Sequence, residues 1–263
     1  MKLKFIHITD LHLSASSDEL LHNIPIYEVL DSILNTISEK MSGMEFILIT
    51  GDISNTGDLN SYLTARTKFG GINLPVYWLP GNHDDLECID NFNNNQNILG
   101  DKLFLKSGYL FILLNSVAID ENGKNRNRGV IGDSELTFLK QSLLTHIDKE
   151  VIIALHHPPV KSGTWKDDRM LLNTEDFFIA IKDYKNIRAV LYGHQHQEFQ
   201  SQINDILYYS PPAASFQFSK DIKWAFDSKG PGFGIISITE NREISTENIY
   251  LDIKINPIYT KVH

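Results

Sequence analysis

The sequence predicts an α/β fold, and two features of its 263 residues support that prediction. Short apolar runs of strand length alternate with segments in which apolar residues recur at helical spacing. These runs are continuously apolar, a pattern typical of strands that are buried on both faces. The runs with this pattern are 3–9, 46–50, 76–79, 151–155 and 189–192.

Three amphipathic helices are expected between these strands. The first has apolar residues at helical spacing over 26–41 and follows Pro25, which suits a first helical turn. The second is expected to be capped by Asp133 and has its apolar residues between 136 and 144. The third is expected to be capped by Thr174. Helices of this kind cover the faces of a sheet, as an α/β fold requires.

The pattern changes near Ser210. Segments 206–209, 233–239 and 249–255 are expected to be strands that extend a second sheet. Residues 211–232 are aromatic and rich in turn residues, and a loop of that length is usually functional or mobile. We expect one domain over residues 1–263.

Composition excludes several classes of protein. The chain is 42% hydrophobic and 22% charged, unlike disordered, collagen-like or coiled-coil chains. The net charge is −9, whereas a protein that binds a nucleic-acid polymer needs a basic surface. The one cysteine, Cys88, excludes a disulfide framework and is expected to be an inert thiol. No apolar run reaches the roughly 18 residues of a membrane span, and the N-terminus lacks a secretion signal, so we expect a cytoplasmic protein without a membrane partner.

Each of the five expected strands runs directly into Asp, Asn or His side chains. In open α/β sheets the carboxyl ends of the strands form the ligand crevice, so these side chains should converge. They are, in chain order, Asp10, His12, Asp52, Asn82, His83, Asp84, His156, His157, His194 and His196. An ordinary turn or a structural histidine explains each short motif taken singly, but five such strand ends together fit chance poorly.

The chemistry of these side chains points to metal binding. Oxygen and imidazole ligands without thiolates suit Mn²⁺, iron or Zn²⁺. Seven of the ten side chains count as candidate ligands, namely two carboxylates, one amide and four imidazoles, which is more than the roughly three protein ligands of a single open metal site. Two metals with a shared ligand can stabilise both the attacking and the leaving oxygen of an in-line displacement. The residues therefore predict a dinuclear phosphoester hydrolase.

The complete ordered set of motifs resembles the calcineurin-like metallophosphoesterase superfamily. The motifs are Asp10-x-His12, Gly51-Asp52, Gly81-Asn82-His83-Asp84, His156 and Gly193-His194-x-His196. The resemblance implies a four-layer α/β/β/α sandwich, in which two packed mixed β-sheets are flanked by helices.

The resemblance also implies a role for each site residue. Seven side chains would hold two metals: Asp10, His12 and His196 the first, Asn82, His156 and His194 the second, and Asp52 both. His83 would face the scissile phosphate, where it would protonate the leaving oxygen or stabilise phosphoryl charge, and Asp84 would orient His83. The metals would be divalent or mixed-valence ions, with Mn²⁺ and iron expected before Zn²⁺, Co²⁺ or Ni²⁺. A hydroxide that bridges them would attack phosphorus in line.

A wider resemblance, to bacterial class III cyclic-nucleotide phosphodiesterases, narrows the expected substrate. It is carried by segments 7–12, 79–84, 156–160 and 193–197, and by Gln217-Phe218 and Pro231-Gly232-Phe233. It implies hydrolysis of 3′,5′-cyclic AMP, or a related cyclic nucleotide, to the 5′-nucleotide. A homodimer is expected from the resemblance and from base rates.

The loop at 211–232 is expected to lie over the site. Its Phe216, Phe218 and Trp224 either stack on a nucleotide base or pack against the second sheet, and the sequence favours packing. His157 either touches the phosphate or is a buried structural histidine. The remaining histidines are expected to be structural or surface residues: His7, His22, His146 and His263.

Several other functions stay open at this point. The alternatives are another phosphodiester or phosphomonoester as substrate, a nuclease, a nucleotide-sugar or lipid-precursor hydrolase, a protein phosphatase, and a non-catalytic scaffold. The acidic charge counts against a nuclease, and the chain shows no clear amphipathic lid for a lipid precursor. The complete ligand set counts against a scaffold.

Overall fold

The computed structural model describes residues 2–94, 96–121, 123 and 127–253. Its strands are, in chain order, β1 (Leu3–Ile8), β2 (Ile47–Thr50), β3 (Val76–Leu79), β4 (Ile98–Leu99), β5 (Leu103–Lys106), β6 (Tyr109–Leu113), β7 (Glu150–Ala154), β8 (Ile187–Leu191), β9 (Phe199–Ile203), β10 (Ile206–Ser210), β11 (Gly232–Ile238) and β12 (Ile244–Tyr250). The α-helices are α1 (Ile26–Lys40), α2 (Leu59–Gly70), α3 (Asp133–Thr145) and α4 (Thr174–Ile181). Two short 3₁₀-helices cover Ile89–Phe92 and Trp165–Arg169.

The strands form two six-stranded mixed sheets. The first has the order β12-β11-β1-β2-β3-β4, and the second has the order β5-β6-β7-β8-β10-β9. In the first sheet β1 to β4 are parallel, and β11 is antiparallel to β1. In the second sheet β6, β7, β8 and β10 are parallel. The carboxyl ends of the parallel strands are where the predicted site residues begin.

The two sheets pack face to face, and helices cover their outer faces. In β1, Leu3 and Phe5 belong to the core between the sheets, whereas Ile6 and Ile8 belong to the core under α1 and α2. The equivalent outer core of the second sheet contains residues of α3 and α4. The predicted four-layer α/β/β/α sandwich is therefore confirmed, and continuously apolar strands follow from burial on both faces.

Aromatic side chains fill much of the space between the sheets. The ring of Phe46, next to β2, meets Phe111 of β6 edge to face, with ring centroids 5.1 Å apart. Tyr77 of β3 stacks on Phe104 of β5. Such pairs add roughly 0.5–1.5 kcal/mol beyond the burial of their area, so this layer holds the two sheets in a fixed relation.

The helices begin where local chemistry allows, with two differences from expectation. The side chain of Asp58 caps α2 by accepting a hydrogen bond from the Ser61 N–H. Asp133 and Thr174 are not caps but the first residues of their helices, after Gly132 and Asn173. Asp133 still suits its place, since a negative charge in a first turn is favourable.

The expected placement of the C-terminal strands is partly wrong. β10 joins the second sheet, but β11 and β12 join the first, with Phe5 opposite Ile236. The position beside β1 buries both faces of β11, as its apolar run requires. A tight turn, in which the Thr239 N–H donates to the Glu243 carbonyl, places β12 earlier than 249–255. Residues 254 and 255 lie outside the described residues.

Three other sequence expectations concern the domain, a membrane span and the cysteine. The single domain over 1–263 stays a prediction, because residues 254–263 are among those that the structure does not describe. Among the described residues, no helix combines the length and the apolar character needed to cross a membrane. Cys88 is a free cysteine, as expected.

Candidate metal centre

The predicted site residues converge at one edge of the sandwich. The loops after β1, β2 and β3 contribute from the first sheet, and those after β7 and β8 contribute from the second. All seven predicted ligands are nearly inaccessible to solvent, with Asn82 the most exposed at 7%. Buried polar side chains need partners that compensate for lost hydration, so their mutual geometry decides what the site can hold.

The first cluster joins the two ends of the predicted motif set. The Nε2 atoms of His12 and His196 lie 2.9 Å apart. Asp10 Oδ1 lies 3.4 Å from Nε2 of His196 and 3.9 Å from Nε2 of His12. A cation could be held by one atom from each of these three side chains, which all lie within 4.8 Å of one another.

The second cluster lies beside the first. Nε2 of His156 lies 3.2 Å from Oδ1 of Asn82 and 3.2 Å from Nδ1 of His194. Asn82 follows β3 of the first sheet, whereas both histidines follow strands of the second sheet. This cluster therefore spans the junction between the two sheets.

Asp52 lies between the two clusters. Its Oδ2 is 3.5 Å from Nε2 of His12 and 3.3 Å from Nε2 of His156. Its Oδ1 accepts a hydrogen bond from the backbone N–H of His83 at 2.8 Å. One carboxylate thus faces a histidine of each cluster, as a shared ligand must.

Backbone carbonyls orient two of the imidazoles. Nδ1 of His196 donates to the Phe216 carbonyl at 2.9 Å, and Nδ1 of His156 donates to the Thr50 carbonyl at 2.7 Å. Each ring therefore turns its Nε2 atom towards its cluster. Hydrogen bonds of this kind fix the tautomer of metal-binding histidines.

The donor set fits cations. Carboxylate oxygens, an amide oxygen and imidazole lone pairs point at one another across about 3–4 Å, a spacing at which acceptors repel without a positive charge between them. The side chains are nitrogen and oxygen ligands of the kind that hold Mn²⁺, iron or Zn²⁺.

The charge states suit the same interpretation. Burial lowers the pKa of His12 to about 3 and holds the pKa values of His194 and His196 well below their usual range. These imidazoles are thus neutral at neutral pH, the form that binds metals. Burial also acts to lower the pKa of His156, but the Asp52 carboxylate outweighs it and raises that pKa to about 9. In the absence of metal, a proton on His156 therefore compensates the charge of Asp52.

Comparison with known proteins agrees with this geometry. A family model described as calcineurin-like phosphoesterase matches residues 3–198. The chain belongs to the calcineurin-like phosphoesterase family. That family is hydrolytic, and the match covers every predicted site residue.

Two named relatives match nearly the whole chain. A protein of Nostoc sp. named 3′,5′-cyclic-nucleotide phosphodiesterase is 30% identical over 99% of this chain and 97% of its own length. The Haemophilus influenzae protein named 3′,5′-cyclic adenosine monophosphate phosphodiesterase CpdA is 27% identical over 93% of this chain and 89% of its own. The fold also matches a dimetal phosphatase of Danio rerio with a TM-score of 0.70, at 12% identity over 96% and 97% of the two chains.

Two residues of the motif after β3 are held by hydrogen bonds to neighbouring loops. The family resemblance implies that Asp84 orients His83, and that role stays a prediction; Nδ1 of His83 donates to the carbonyl of Asn55 at 2.8 Å. The Asp84 carboxylate accepts hydrogen bonds from the backbone N–H groups of Gly81, Ser54 and Ile53 and from the hydroxyl of Tyr62. Asp84 therefore fixes the two loops that carry Asp52 and His83, and the Asn55 carbonyl holds the ring.

A cavity of about 540 Å³ opens onto the candidate metal centre. Besides His12, His83 and His194 it is lined by residues that the sequence did not select: Leu21, His22, Asn55, Thr56, Asn127, Lys166 and Arg169. His22 was expected to be a structural or surface residue, yet it lines this cavity and contacts Phe216 edge to face. No short motif marks these residues: Asn55 and Thr56 follow the predicted Gly51-Asp52 motif in the loop after β2, and the others come from loops that the motifs do not include.

The aromatic residues of the 211–232 loop pack beneath the centre. Phe216 and Phe218 are buried in the core on the helix side of the first sheet, rather than against the second sheet. The Phe216 ring lies 4.6 Å from that of His196. These contacts favour packing over base stacking for both phenylalanines, but the expected packing against the second sheet is wrong, because both rings lie in the core of the first sheet.

The other histidines have varied surroundings. His157 is buried, its Nδ1 lies 2.9 Å from Ser116 Oγ, and it can join His156 and His194 as a candidate ligand. His7 is buried beside Thr50, and His146 bonds the Ser142 carbonyl at the end of α3. His263 lies outside the described residues.

Proposed function

We propose that this chain is a dinuclear-metal phosphodiesterase that hydrolyses 3′,5′-cyclic AMP, or a related cyclic nucleotide, to the 5′-nucleotide. The observation that carries the proposal is the position of Asp52, whose Oδ2 faces a histidine of each ligand cluster. The names of the Nostoc and Haemophilus relatives support a cyclic nucleotide as substrate.

The proposed ligands form two sets with one shared member. Asp10, His12 and His196 hold the first ion, Asn82, His156 and His194 hold the second, and Asp52 contributes to both. When bound, the ions supply Lewis-acid activation of water and neutralisation of phosphate charge. Mn²⁺ and iron are the proposed occupants, with Zn²⁺, Co²⁺ and Ni²⁺ as alternatives.

His83 is the proposed proton donor to the leaving oxygen. Its Nδ1–H is engaged by the Asn55 carbonyl, so Nε2 is the atom that can serve the substrate. The ring is only partly buried, lines the cavity and stands edge to face with that of His12. Hydrolysis of the cyclic ester adds water to phosphorus and breaks the bond to O3′, and a proton from Nε2 completes the 3′-hydroxyl.

The experiment is turnover of 3′,5′-cyclic AMP by metal-reconstituted protein, beside bis-p-nitrophenyl phosphate, with chromatographic identification of the nucleotide. We expect 5′-AMP as product, with a kcat/KM at least comparable to that of the synthetic diester. His83→Gln should keep the metals and lose about 10²–10⁴-fold in kcat. His146→Gln, at the far end of α3, is the matched control and should keep full activity.

Two results would overturn parts of the proposal. Hydrolysis of the synthetic diester alone would remove the cyclic nucleotide and leave another phosphodiester or phosphomonoester as substrate. A metal-free protein that cleaves neither compound would favour the non-catalytic scaffold.

Four broader proposals rest on the sequence. The compartment we propose is the cytoplasm, which agrees with the free thiol of Cys88. The substrate is a small molecule rather than a nucleic-acid polymer, because the chain carries a net charge of −9. We propose no membrane partner, since no apolar run in the sequence has the length of a membrane span. A homodimer is proposed from the family resemblance and from base rates.

A further inference from the structure

Two basic side chains stand beside the metal centre on the 3₁₀-helix Trp165–Arg169. Lys166 is 5% exposed, and its Nζ donates to the backbone carbonyl of His194 at 3.2 Å. The guanidinium carbon of Arg169 lies 4.6 Å from the centre of the Trp224 ring. Both residues line the cavity that contains His12, His83 and His194. Residues three apart on a 3₁₀-helix are eclipsed, so the two basic side chains lie next to each other.

The segment that carries this basic pair is fixed on both sides. The Asp167 carboxylate accepts hydrogen bonds from the backbone of Ser162 and Gly163. Nε1 of Trp165 donates to the Ser219 carbonyl, which ties the segment to the 211–232 loop. The hydroxyl of Thr164 donates to Gln197, the residue after His196. The short helix is thus held against the same loops that carry the ligands.

The surroundings of Lys166 leave its amino group incompletely paired. Among the described residues, the His194 carbonyl is the one hydrogen-bond acceptor of Nζ, although the group has three N–H bonds when charged. Its stem and Nζ pack over Phe218, with Nζ 4.5 Å from the ring centre. A buried amino group with unused donors is costly unless something else accepts them. The cavity is where such an acceptor can enter.

The guanidinium of Arg169 is held in place by stacking on Trp224. Contact with the face of Trp224 fixes the plane of the guanidinium, whose edge carries the paired N–H groups that suit phosphate oxygens. Trp165 lies on Trp224 as well, with ring centroids 4.9 Å apart. These contacts make Trp224 a support for Arg169.

We propose that Lys166 and Arg169 form a phosphate-binding subsite that holds the substrate oxygens not engaged by the two metal ions. The inference rests on the proposed phosphodiesterase function and adds two specificity-determining residues to it. The amino group of Lys166 donates hydrogen bonds whether it is charged or neutral, and Arg169 is always charged. Neither residue belongs to the motifs that supply the metal ligands.

The test uses Lys166→Met and Arg169→Met in the full, metal-loaded chain. Met preserves much of each side chain's packing and removes its donors. The matched control is Lys161→Met, because Lys161 is exposed and lies five residues before Lys166, on the loop that leads into the 3₁₀-helix. Calorimetry with inorganic phosphate gives Kd, inhibition by phosphate of bis-p-nitrophenyl phosphate hydrolysis gives Ki, and elemental analysis gives the metal content.

Loss of hydrogen bonds from a charged donor should weaken phosphate binding about 10- to 100-fold in each Met variant. Metal content should stay at the wild-type value, KM should rise more than kcat falls, and Arg169→Lys should recover part of the affinity. Lys161→Met should bind phosphate like the wild-type protein. A purely structural role would lower the melting temperature and leave the phosphate Kd unchanged.

Unchanged phosphate affinity in both Met variants at full metal content would overturn the inference. If Lys166→Met fails to fold or loses metal, Arg169→Met decides, because that side chain is only partly buried. Weakened phosphate binding in a protein that does not cleave cyclic AMP would support the subsite while the proposed substrate fails. Cleavage of cyclic AMP with unaltered phosphate binding would be the reverse case.

Discussion

Five residues of the proposed metal centre have backbone conformations that are uncommon for their type. Positive φ angles of 55°, 50°, 53°, 70° and 49° occur at Asp10, His12, Asp52, His194 and His196. Residues other than glycine seldom adopt this left-handed conformation, and those that do cluster at functional sites. Hydrogen bonds between neighbouring loops, such as His12 N–H to the Asp52 carbonyl at 2.9 Å, hold these conformations. The strain is thus offset by contacts that also align the ligands.

Burial of His7 should make the free energy of unfolding depend on pH, independently of the metals. The side chain is fully buried, its Nε2 lies 2.8 Å from Thr50 Oγ1, and burial lowers its pKa to about 3. In the unfolded chain His7 is protonated below about pH 6.5, whereas in the folded chain it stays neutral down to about pH 3. The contribution of neutral His7 to the free energy of unfolding is therefore present above pH 6.5 and is lost as the pH falls towards 3. Between pH 7 and pH 5 this amounts to about 2 kcal/mol.

His7→Gln should remove that loss while keeping a hydrogen bond to Thr50. Denaturant unfolding of the metal-free protein at pH 7 and pH 5 gives the two free energies of unfolding for each chain. We expect the wild-type protein to lose about 2 kcal/mol more than the variant on acidification. An equal loss in both proteins would show that His7 is protonated in the folded state.

At the scale of elements, close approach between loops shapes the centre. A Cβ at Gly81, after β3, would lie 2.1 Å from Oδ1 of Asp52 and 2.4 Å from its backbone nitrogen. A Cβ at Gly193, after β8, would lie 1.8 Å from Oγ1 of Thr9. Glycine at these two positions therefore lets the loops after neighbouring strands and sheets meet.

Gly81→Ala should displace Asp52 and weaken metal binding. We expect a loss of about 1–3 kcal/mol in the free energy of unfolding, because the added methyl group overpacks a closed site. Gly132→Ala is the matched control, since a Cβ there has no neighbour within 4 Å and φ is −67°. Its cost should be about 1 kcal/mol or less, from a weaker helix cap. Normal metal content and stability in Gly81→Ala would contradict this role of the glycine.

Some of the strands and helices could be predicted from the sequence, and others could not. The buried strands and the residues that follow them were predictable, because continuous apolar runs and polar strand ends are local patterns. Helix α2 was missed since only Ser61, Tyr62, Ala65 and Phe69 are buried in it, which leaves little apolar periodicity. The pairing of β11 with β1 was also missed, because a strand's own sequence does not specify its neighbour.

The candidate site was likewise only partly predictable from the sequence. Residue types and spacing predicted which side chains converge, but the contact of His83 with the Asn55 carbonyl depends on how two loops meet. Lys166 and Arg169 were not selected either, since two basic residues in a polar loop look like an ordinary solvated segment. Their burial follows from the packing of the 3₁₀-helix against the 211–232 loop.

At the scale of the whole molecule, the proposed metal centre joins the two sheets. Asp10, Asp52 and Asn82 follow strands of the first sheet, whereas His156 and His194 follow strands of the second. Ions bound between them would link the sheets at the edge, in addition to the aromatic layer between their faces. Metal binding should therefore stabilise the entire fold.

Metal analysis of the reconstituted protein, with melting in the presence and absence of a chelator, tests the two-metal centre most directly. We expect two ions per chain and a fall in melting temperature on chelation. Each ion held at 100 times its Kd contributes about 2.7 kcal/mol, which corresponds to roughly 5–10 °C per ion in a protein of this size. Asp52→Asn should hold fewer ions and respond less to the chelator. A wild-type protein that binds one ion or none, with an unchanged melting temperature, would contradict the two-metal centre.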